Sequence, residues 1–285
     1  MEIRSLADTD FDTLYEAFAQ AFADYEIHPG REELRKMLRR RGFAPELSFA
    51  AFDGDRIAAF TFNGTGIRNG LPTAYDTGTG TLPAYRGQGL ASPIFTCSIP
   101  LLKAAGIRQY LLEVLQHNPA AIAVYRKMGF ETTREFNYFG QEKRLVRIPG
   151  KQPAIPHAFR PIDLDAVRRL AGLLDFRPSW QNDDESVARA GGDLVRFGLF
   201  RTDTGEPLGY CICEPASGDI ARLAVDSRFR RQGIGSALLR HALGTIAADS
   251  VKVINTETGS EPITQFLRSA NLLLKGKQFE MVRKL

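Results

Sequence analysis

Cysteine is scarce in this chain, with three among 285 residues, at Cys97, Cys211 and Cys213. So small and odd a number supplies no disulfide framework and fits a reducing compartment. Cys211 and Cys213 lie two apart in a strand-like run, share one face of it and read as core. The four histidines, His28, His117, His157 and His241, form no ligand spacing with one another or with the cysteines, so no metal is expected. Long apolar runs are missing too: nothing approaches ~18 uninterrupted apolar residues. The opening MEIRSLADTDFD is acidic and lacks the apolar stretch of a leader. A cytoplasmic protein without a membrane partner is therefore expected. Charge of one sign is not concentrated anywhere. The net charge is only +4, and the densest basic run, Arg39-Arg40-Arg41, closes the helical segment REELRKMLRRR, where cations complement the helix dipole. Despite a pI near 9.0, nucleic acid is not an expected partner.

What is present suits a protein with real cores: 44% of residues are hydrophobic and 25% charged. The length exceeds that of one ordinary domain. A stretch with four prolines and a glycine, RIPGKQPAIPHAFRP, interrupts the patterned sequence. Proline fixes φ and removes a backbone donor, so this stretch reads as a linker. The expected division is 1–147, a linker at 148–156, and 157–285.

The same order of elements can be read on both sides. Each half opens with a short strand and an amphipathic helical region, DFDTLYEAFAQAFADY in the first and DLDAVRRLAGLLD in the second. Strands follow, then an arginine-led glycine turn, a helix, a strand, a helix and a closing strand. The turn reads YRGQGLA from Tyr85 and FRRQGIG from Phe229, 144 positions apart. A turn leaving a strand and opening a helix presents unpaired N–H groups at the helix's positive end, and glycine lets a phosphate approach them. Two phosphate-binding patterns are absent: no G-x-x-x-x-G-K-[ST] occurs, and the dinucleotide G-x-G-x-x-G lacks its third glycine, which disfavours a dinucleotide oxidoreductase.

The pattern that fits is Q/R-x-x-G-x-G/A, as Arg86-Gly87-Gln88-Gly89-Leu90-Ala91 and Arg230-Arg231-Gln232-Gly233-Ile234-Gly235. Here the chain resembles the GNAT N-acetyltransferases, twice over. The resemblance implies an α+β fold of two tandem acyl-CoA N-acyltransferase domains, each a mixed, mostly antiparallel sheet flanked by helices. It implies that the turns bind the pyrophosphate of acetyl-CoA. It further implies that the preceding strands, at Thr79 and Thr81 and at Leu223 and Val225, offer backbone groups to the pantetheine.

A second family-like segment is LEVLQHNPAAIAVYRKMGF, residues 112–130. Acetyl transfer to an amine needs a base to neutralise the nucleophile and an acid for the departing thiolate. Periodicity alone puts Tyr125 on one helical face with Ile122, as core. The resemblance makes Tyr125 the acid and Glu113, twelve residues earlier, the base, a spacing similar to that of protein N-terminal alanine acetyltransferases. Glu113 read without the family is an edge charge. Asn118 opens the helix as a natural N-cap and in the family lies near the cofactor arm.

The second half departs from this pattern. Leu267 replaces the tyrosine and Asn271 the glycine of MGF, while Asp219 sits eleven residues before Arg230, where histone-type members carry their base. The first half has Tyr75 there, with Asp76 beside it. The expectation is a catalytic first domain and a second that binds coenzyme weakly or shapes the substrate site, acting on a primary amine of a small molecule or a peptide N-terminus. Asp24, Tyr25 and Glu26 fall where the family often contacts substrate. A non-catalytic acyl-CoA-binding protein is the alternative. Pro100, inside a helix, has no functional reading.

Overall fold

The structure is a computed structural model that describes residues 1–24, 28–148, 150 and 152–285. The chain forms two compact units, one of Met1–Thr133 with Phe279–Leu285 and one of Arg134–Gln278.

In unit 1, β1 (Glu2–Ser5), β2 (Phe49–Asp53), β3 (Arg56–Arg68) and β4 (Leu71–Thr81) are successive antiparallel neighbours, and β5 (Gln109–Leu115) joins β4 in parallel. Helices α1 (Phe11–Ala21) and α2 (Arg31–Arg41) cover one face. Leu14, Phe18, Leu34 and Leu38 recur at helical spacing and pack there on Phe60 and Phe62. Asp10 caps α1, accepting from Asp12 and Thr13 N–H at 2.9 and 3.0 Å. Helices α3 (Ala91–Ala104) and α4 (Pro119–Lys127) bring Phe95 and Ile122 against Tyr110 and Leu112 of β5. Asn118 caps α4 through Ala121 N–H at 3.1 Å, as its position in the sequence requires.

Unit 2 repeats the plan. β7 (His157–Pro161), β8 (Val195–Arg201), β9 (Pro207–Glu214) and β10 (Asp219–Val225) are antiparallel, β11 (Ser250–Glu257) is parallel to β10, and β6 (Glu131–Glu142) runs antiparallel to β11. Its helices are α5 (Leu164–Arg169), α6 (Asp184–Ala190), α7 (Ile234–Thr245) and α8 (Glu261–Ser269), and β12 (Leu273–Lys284) closes the chain. The segment read as one helix, DLDAVRRLAGLLD, divides into α5 and a 3₁₀ turn at Ala171–Leu173, since Gly172 does not sustain a helix. Cys211, Cys213 and Trp180 are wholly buried.

The compact units do not divide at the proline-rich stretch. Backbone pairing decides the matter: Phe136–Glu142 of β6 hydrogen-bonds to β11, so these residues join unit 2. Ile148 and Ile155 pack against the core of unit 2 as well. Conversely, Met281, with no exposed surface, joins Tyr110, Ile122 and Phe130 in the core of unit 1. Arg283 donates to Met128 O at 2.6 Å and Leu285 N–H to Arg108 O at 2.9 Å. Arg68 and Glu280 form a buried ion pair at 3.5 Å, with Thr133 Oγ1 donating to Glu280 Oε1 at 3.0 Å.

Candidate active site

The site of unit 1 begins with a β-bulge. Phe62 pairs with Gly78 and Asn63 with Asp76, leaving Thr77 as the extra residue on β4. A bulge bends its strand and increases its twist. The parallel pairing of β4 with β5 covers Thr73, Ala74 and Tyr75, opposite Gln109, Tyr110 and Leu111, and ends there. Beyond Tyr75 the two strands diverge, and a V opens between them. Unit 2 has the same device 144 positions later: Ala221 is the extra residue of β10, and β10 pairs with β11 only at Asp219 and Lys252.

The glycine turns lie at the open ends of these strands. Gly87 and Gly89 have φ of 78° and 71°, and Arg231 and Gly233 have 63° and 87° at the matching positions. Only glycine takes this region without strain, so Arg231 holds a conformation costly for a side-chain-bearing residue. Among the described residues, no backbone carbonyl accepts from the N–H groups of Gly87, Gln88, Gly89 or Leu90, nor from Arg231, Gln232, Gly233 or Ile234. A Cβ added at Gly87 or Gly89 would meet nothing within 4 Å. Each turn therefore presents consecutive donors to open space, which fits a pyrophosphate. Gly235 serves packing instead. A Cβ there would lie 3.2 Å from the Phe266 ring, so the glycine lets α7 approach α8. Ala91 opens α3 at the corresponding place.

The leading arginines hold the turns down. Arg86 donates to Thr81 O at 3.4 Å and Ala21 O at 3.0 Å and pairs with Asp24 at 2.5 Å. Arg230 donates to Val225 O at 3.2 Å and pairs with Asp175 at 2.6 Å. Arg228 is paired with both Asp226 and Glu206. The arginine-rich second turn thus spends two of its three guanidinium groups on neighbouring carboxylates. The carbonyls of Thr81 and Val225 are engaged by these arginines; Thr79 and Leu223 lie along the diverging strands.

Within the V of unit 1, side chains alternate across the strands. Tyr75 and Glu113 face one side, where Tyr75 Oη donates to Glu113 Oε2 at 3.2 Å. Burial pushes the Tyr75 phenol well above its ordinary pKa, helped by the Glu113 carboxylate. Ala74, Asp76 and Tyr110 face the other side, toward α3 and α4. Tyr125 brings its ring into an aromatic cluster there, with centroids 6.0 Å from Phe95 and 5.8 Å from Phe130, and its hydroxyl donates to Asp76 Oδ2 at 3.2 Å. The same tyrosine is thus both core ring and polar tip. Asp76 is 8% exposed. Thr79 Oγ1 donates to its Oδ2 at 2.8 Å and Gly78 N–H to its Oδ1 at 2.9 Å. Burial, outweighing these three donors, raises its pKa from 3.8 to about 6.

Sequence reasoning did not select Asp76. It stood next to the aligned position, and the bulge that turns it toward Tyr125 leaves no mark in residue type. Tyr25 and Glu26 lie outside the described residues; Asp24 holds Arg86.

The corresponding V of unit 2 lacks this chemistry. Ile220 stands where unit 1 has Asp76, Arg222 where it has Gly78, and Leu267 where it has Tyr125. A small open pocket is lined by residues including Phe176, Leu223, Val253 and Ile263, and none of its lining residues is an aspartate or glutamate. Arg222 reaches into its floor, donating to Asn182 O and Asp184 Oδ1, both at 2.7 Å. Asp219 is buried at the closed end of β10, where the strands are still paired. Asn271, with φ of 59°, does end α8 in the left-handed conformation that Gly129 (φ 84°) supplies after α4.

Comparison with known proteins agrees with this geometry. Residues 11–130 match the model of the Acetyltransferase (GNAT) family and residues 195–270 that of an Acetyltransferase (GNAT) domain. The chain belongs to the GNAT acetyltransferases and carries two such domains in tandem. It is 31% identical over 87 residues to N-alpha-acetyltransferase 30 of Schizosaccharomyces pombe, covering 30% of this chain and 58% of that protein. It is 32% identical over 125 residues to the mycothiol acetyltransferase of Thermobifida fusca, covering 40% and 38%. The chain thus spans little more than half, or less, of the curated relatives it matches. In fold it is similar to a tandem GNAT protein from the clavulanic acid biosynthesis pathway, with a TM-score of 0.73, 15% identity, and coverage of 99% of this chain and 98% of that one. Among the described residues, no cluster suited to a metal ion occurs, and no helix is long and apolar enough to cross a membrane.

Proposed function

We propose that this chain is an acetyl-CoA-dependent N-acetyltransferase whose chemistry is carried by unit 1, with a primary amine of a small molecule or a peptide N-terminus as acceptor. The observation that carries this reading is the asymmetry between two otherwise repeated sites. Both units have the bulge, the V and the donor-lined turn, but among the described residues only unit 1 places a phenol hydrogen-bonded to a carboxyl on each face of the V. The Gly87–Leu90 donors hold the pyrophosphate, and the diverging strands at Thr79 and Thr81 receive the pantetheine. Glu113, on one face, accepts a proton from the attacking amine. Tyr125, on the other, supplies one to the departing thiolate. The amine and the thiol thus meet the acetyl carbon from opposite sides of the strand pair. Relatives with names that specify an α-amino acetyltransferase and a mycothiol acetyltransferase leave both acceptor classes in play. Unit 2 binds coenzyme weakly or supports the acceptor site. Three free cysteines, two of them buried, suit a reducing cytoplasm.

Calorimetric titration of the intact chain with acetyl-CoA tests this proposal. Wild type and Gly233→Glu should bind, and Gly89→Glu should lose the stronger site, because it adds a negative charge and a Cβ at a φ of 71°. No binding at millimolar coenzyme would end the reading.

A further inference from the structure

We infer that Asp76 is a positioning residue for Tyr125: the carboxyl and the hydroxyl form one hydrogen-bonded proton pair, and the state of Asp76 sets which way the Tyr125 proton points. The inference builds on the proposed role of Tyr125, and its physical part can be tested without turnover.

Tyr125 Oη lies 3.2 Å from Oδ2 of the buried Asp76, in a contact only partly open to solvent. When Asp76 is ionised, the phenol proton points at the carboxylate and away from any thiolate. Were Tyr125 to give up that proton, a phenolate would stand 3.2 Å from a buried carboxylate, an arrangement that like-charge repulsion and desolvation both oppose. When Asp76 is protonated, it donates to Tyr125 Oη, and the phenol proton is free to turn outward. Transfer is then balanced. The Tyr125 O–H bond breaks as the thiol S–H bond forms, and the Asp76 proton moves onto Tyr125 Oη. Tyr125 remains a neutral phenol and Asp76 becomes the carboxylate. The amine proton resides on Glu113, and exchange with water restores both carboxyls.

The surroundings hold Asp76 in the orientation this transfer needs. Gly78 N–H fixes Oδ1, so Oδ2 is the oxygen facing both Thr79 and Tyr125. The other polar or charged groups that act on it are Tyr75 and Tyr110, whose phenols it raises, and Arg41 at the end of α2, which donates to Thr77 O at 2.8 Å and favours its charged form. Tyr110 is itself held by a hydrogen bond to Asn63. Burial outweighs Arg41, and the carboxyl titrates at about 6, where both states are populated in ordinary buffers.

Asp76→Asn separates this inference from a merely structural role. With Oδ1 kept on Gly78 N–H, the amide Nδ2 faces Tyr125 and can only donate, as protonated Asp76 does. The first measurement is carbon NMR of aspartate carboxyls in the full chain. One signal, absent from Asp76→Asn, should titrate near 6, and Tyr125→Phe should move its midpoint upward, because the hydroxyl that favours the ionised form is gone. A midpoint unmoved by Tyr125→Phe overturns the pair. The second measurement follows thiol release from acetyl-CoA with free-amine dipeptides and alkylamines between pH 5.5 and 8.5. In wild type the maximal rate should fall by about tenfold for each unit above the Asp76 midpoint. Asp76→Asn, which donates a hydrogen bond but has no proton to pass on, should be flat over that range and slower than wild type at pH 5.5, and Asp76→Ala should be slower still. A wild-type rate that does not fall, or an Asp76→Asn rate that falls with pH as wild type does, refutes the role in proton delivery. If wild type releases no thiol, the acetyltransferase reading fails, and the NMR midpoint still decides whether the pair exists.

Discussion

Asp76 should destabilise the fold it sits in. Its folded pKa of about 6 lies above the ordinary 3.8, so the folded chain binds this proton more tightly than the unfolded chain does. The sign follows from linkage. Below pH 4 both states are protonated and the residue is neutral to stability. Between pH 4 and 6 the folded state keeps a proton that the unfolded state has lost, and stability falls as the pH rises. Above 6 the full penalty is present. At ~1.4 kcal/mol per pKa unit, it amounts to about 3 kcal/mol. Asp76→Asn removes the charge and keeps the shape, and the Thr79 and Tyr125 hydroxyls can rotate to accept from the amide. The variant should therefore be more stable than wild type by roughly 2–3 kcal/mol at pH 8 and by little or nothing at pH 4. Urea unfolding of the full chain at the two pH values, followed by circular dichroism, measures the difference. Other carboxylates cancel because they are common to both proteins. Equal stability at pH 8, or the same difference at both values, would refute the assignment of a burial-raised carboxyl to Asp76.

Two further predictions concern the end of the chain. Met281→Ala empties a fully buried position among Tyr110, Ile122 and Phe130, and should cost about 2–5 kcal/mol, visible as a lowered midpoint of the transition reported by unit 1. Glu280→Gln leaves Arg68 buried without its countercharge and should cost about 3–5 kcal/mol, with the loss largely recovered in the double variant Arg68→Met/Glu280→Leu. Differential scanning calorimetry of the full-length variants checks both.

Several parts of this arrangement are legible in the sequence. The arginine-led turns could be read because glycine at left-handed positions is a physical requirement, and the requirement repeats at Gly89 and Gly233. The Tyr125–Leu267 contrast was legible because helical spacing aligns α4 with α8, down to Gly129 and Asn271 at their ends. Other parts left no trace. The extra residues of the two bulges are a threonine and an alanine, Thr77 and Ala221, which share no chemistry, so the rotation that aims Asp76 at Tyr125 is invisible in residue type. Nothing about Phe279 or Met281 says which core they enter, since an alternating strand fits any sheet edge with an apolar face. The second turn has three arginines, Arg228, Arg230 and Arg231, but Asp226, Glu206 and Asp175 take up Arg228 and Arg230. Pairing partners distant in sequence decided that matter.

The account turns on unit 1 being where the acetyl group moves. Thiol release from acetyl-CoA by the intact chain, with an amine panel and the variants Tyr125→Phe and Asp219→Asn side by side, tests it most directly. The prediction is a loss of about 10²–10⁴-fold in Tyr125→Phe, the usual worth of a general acid, with Asp219→Asn close to wild type. Full turnover by Tyr125→Phe together with loss in Asp219→Asn would move the chemistry to unit 2 and contradict the account.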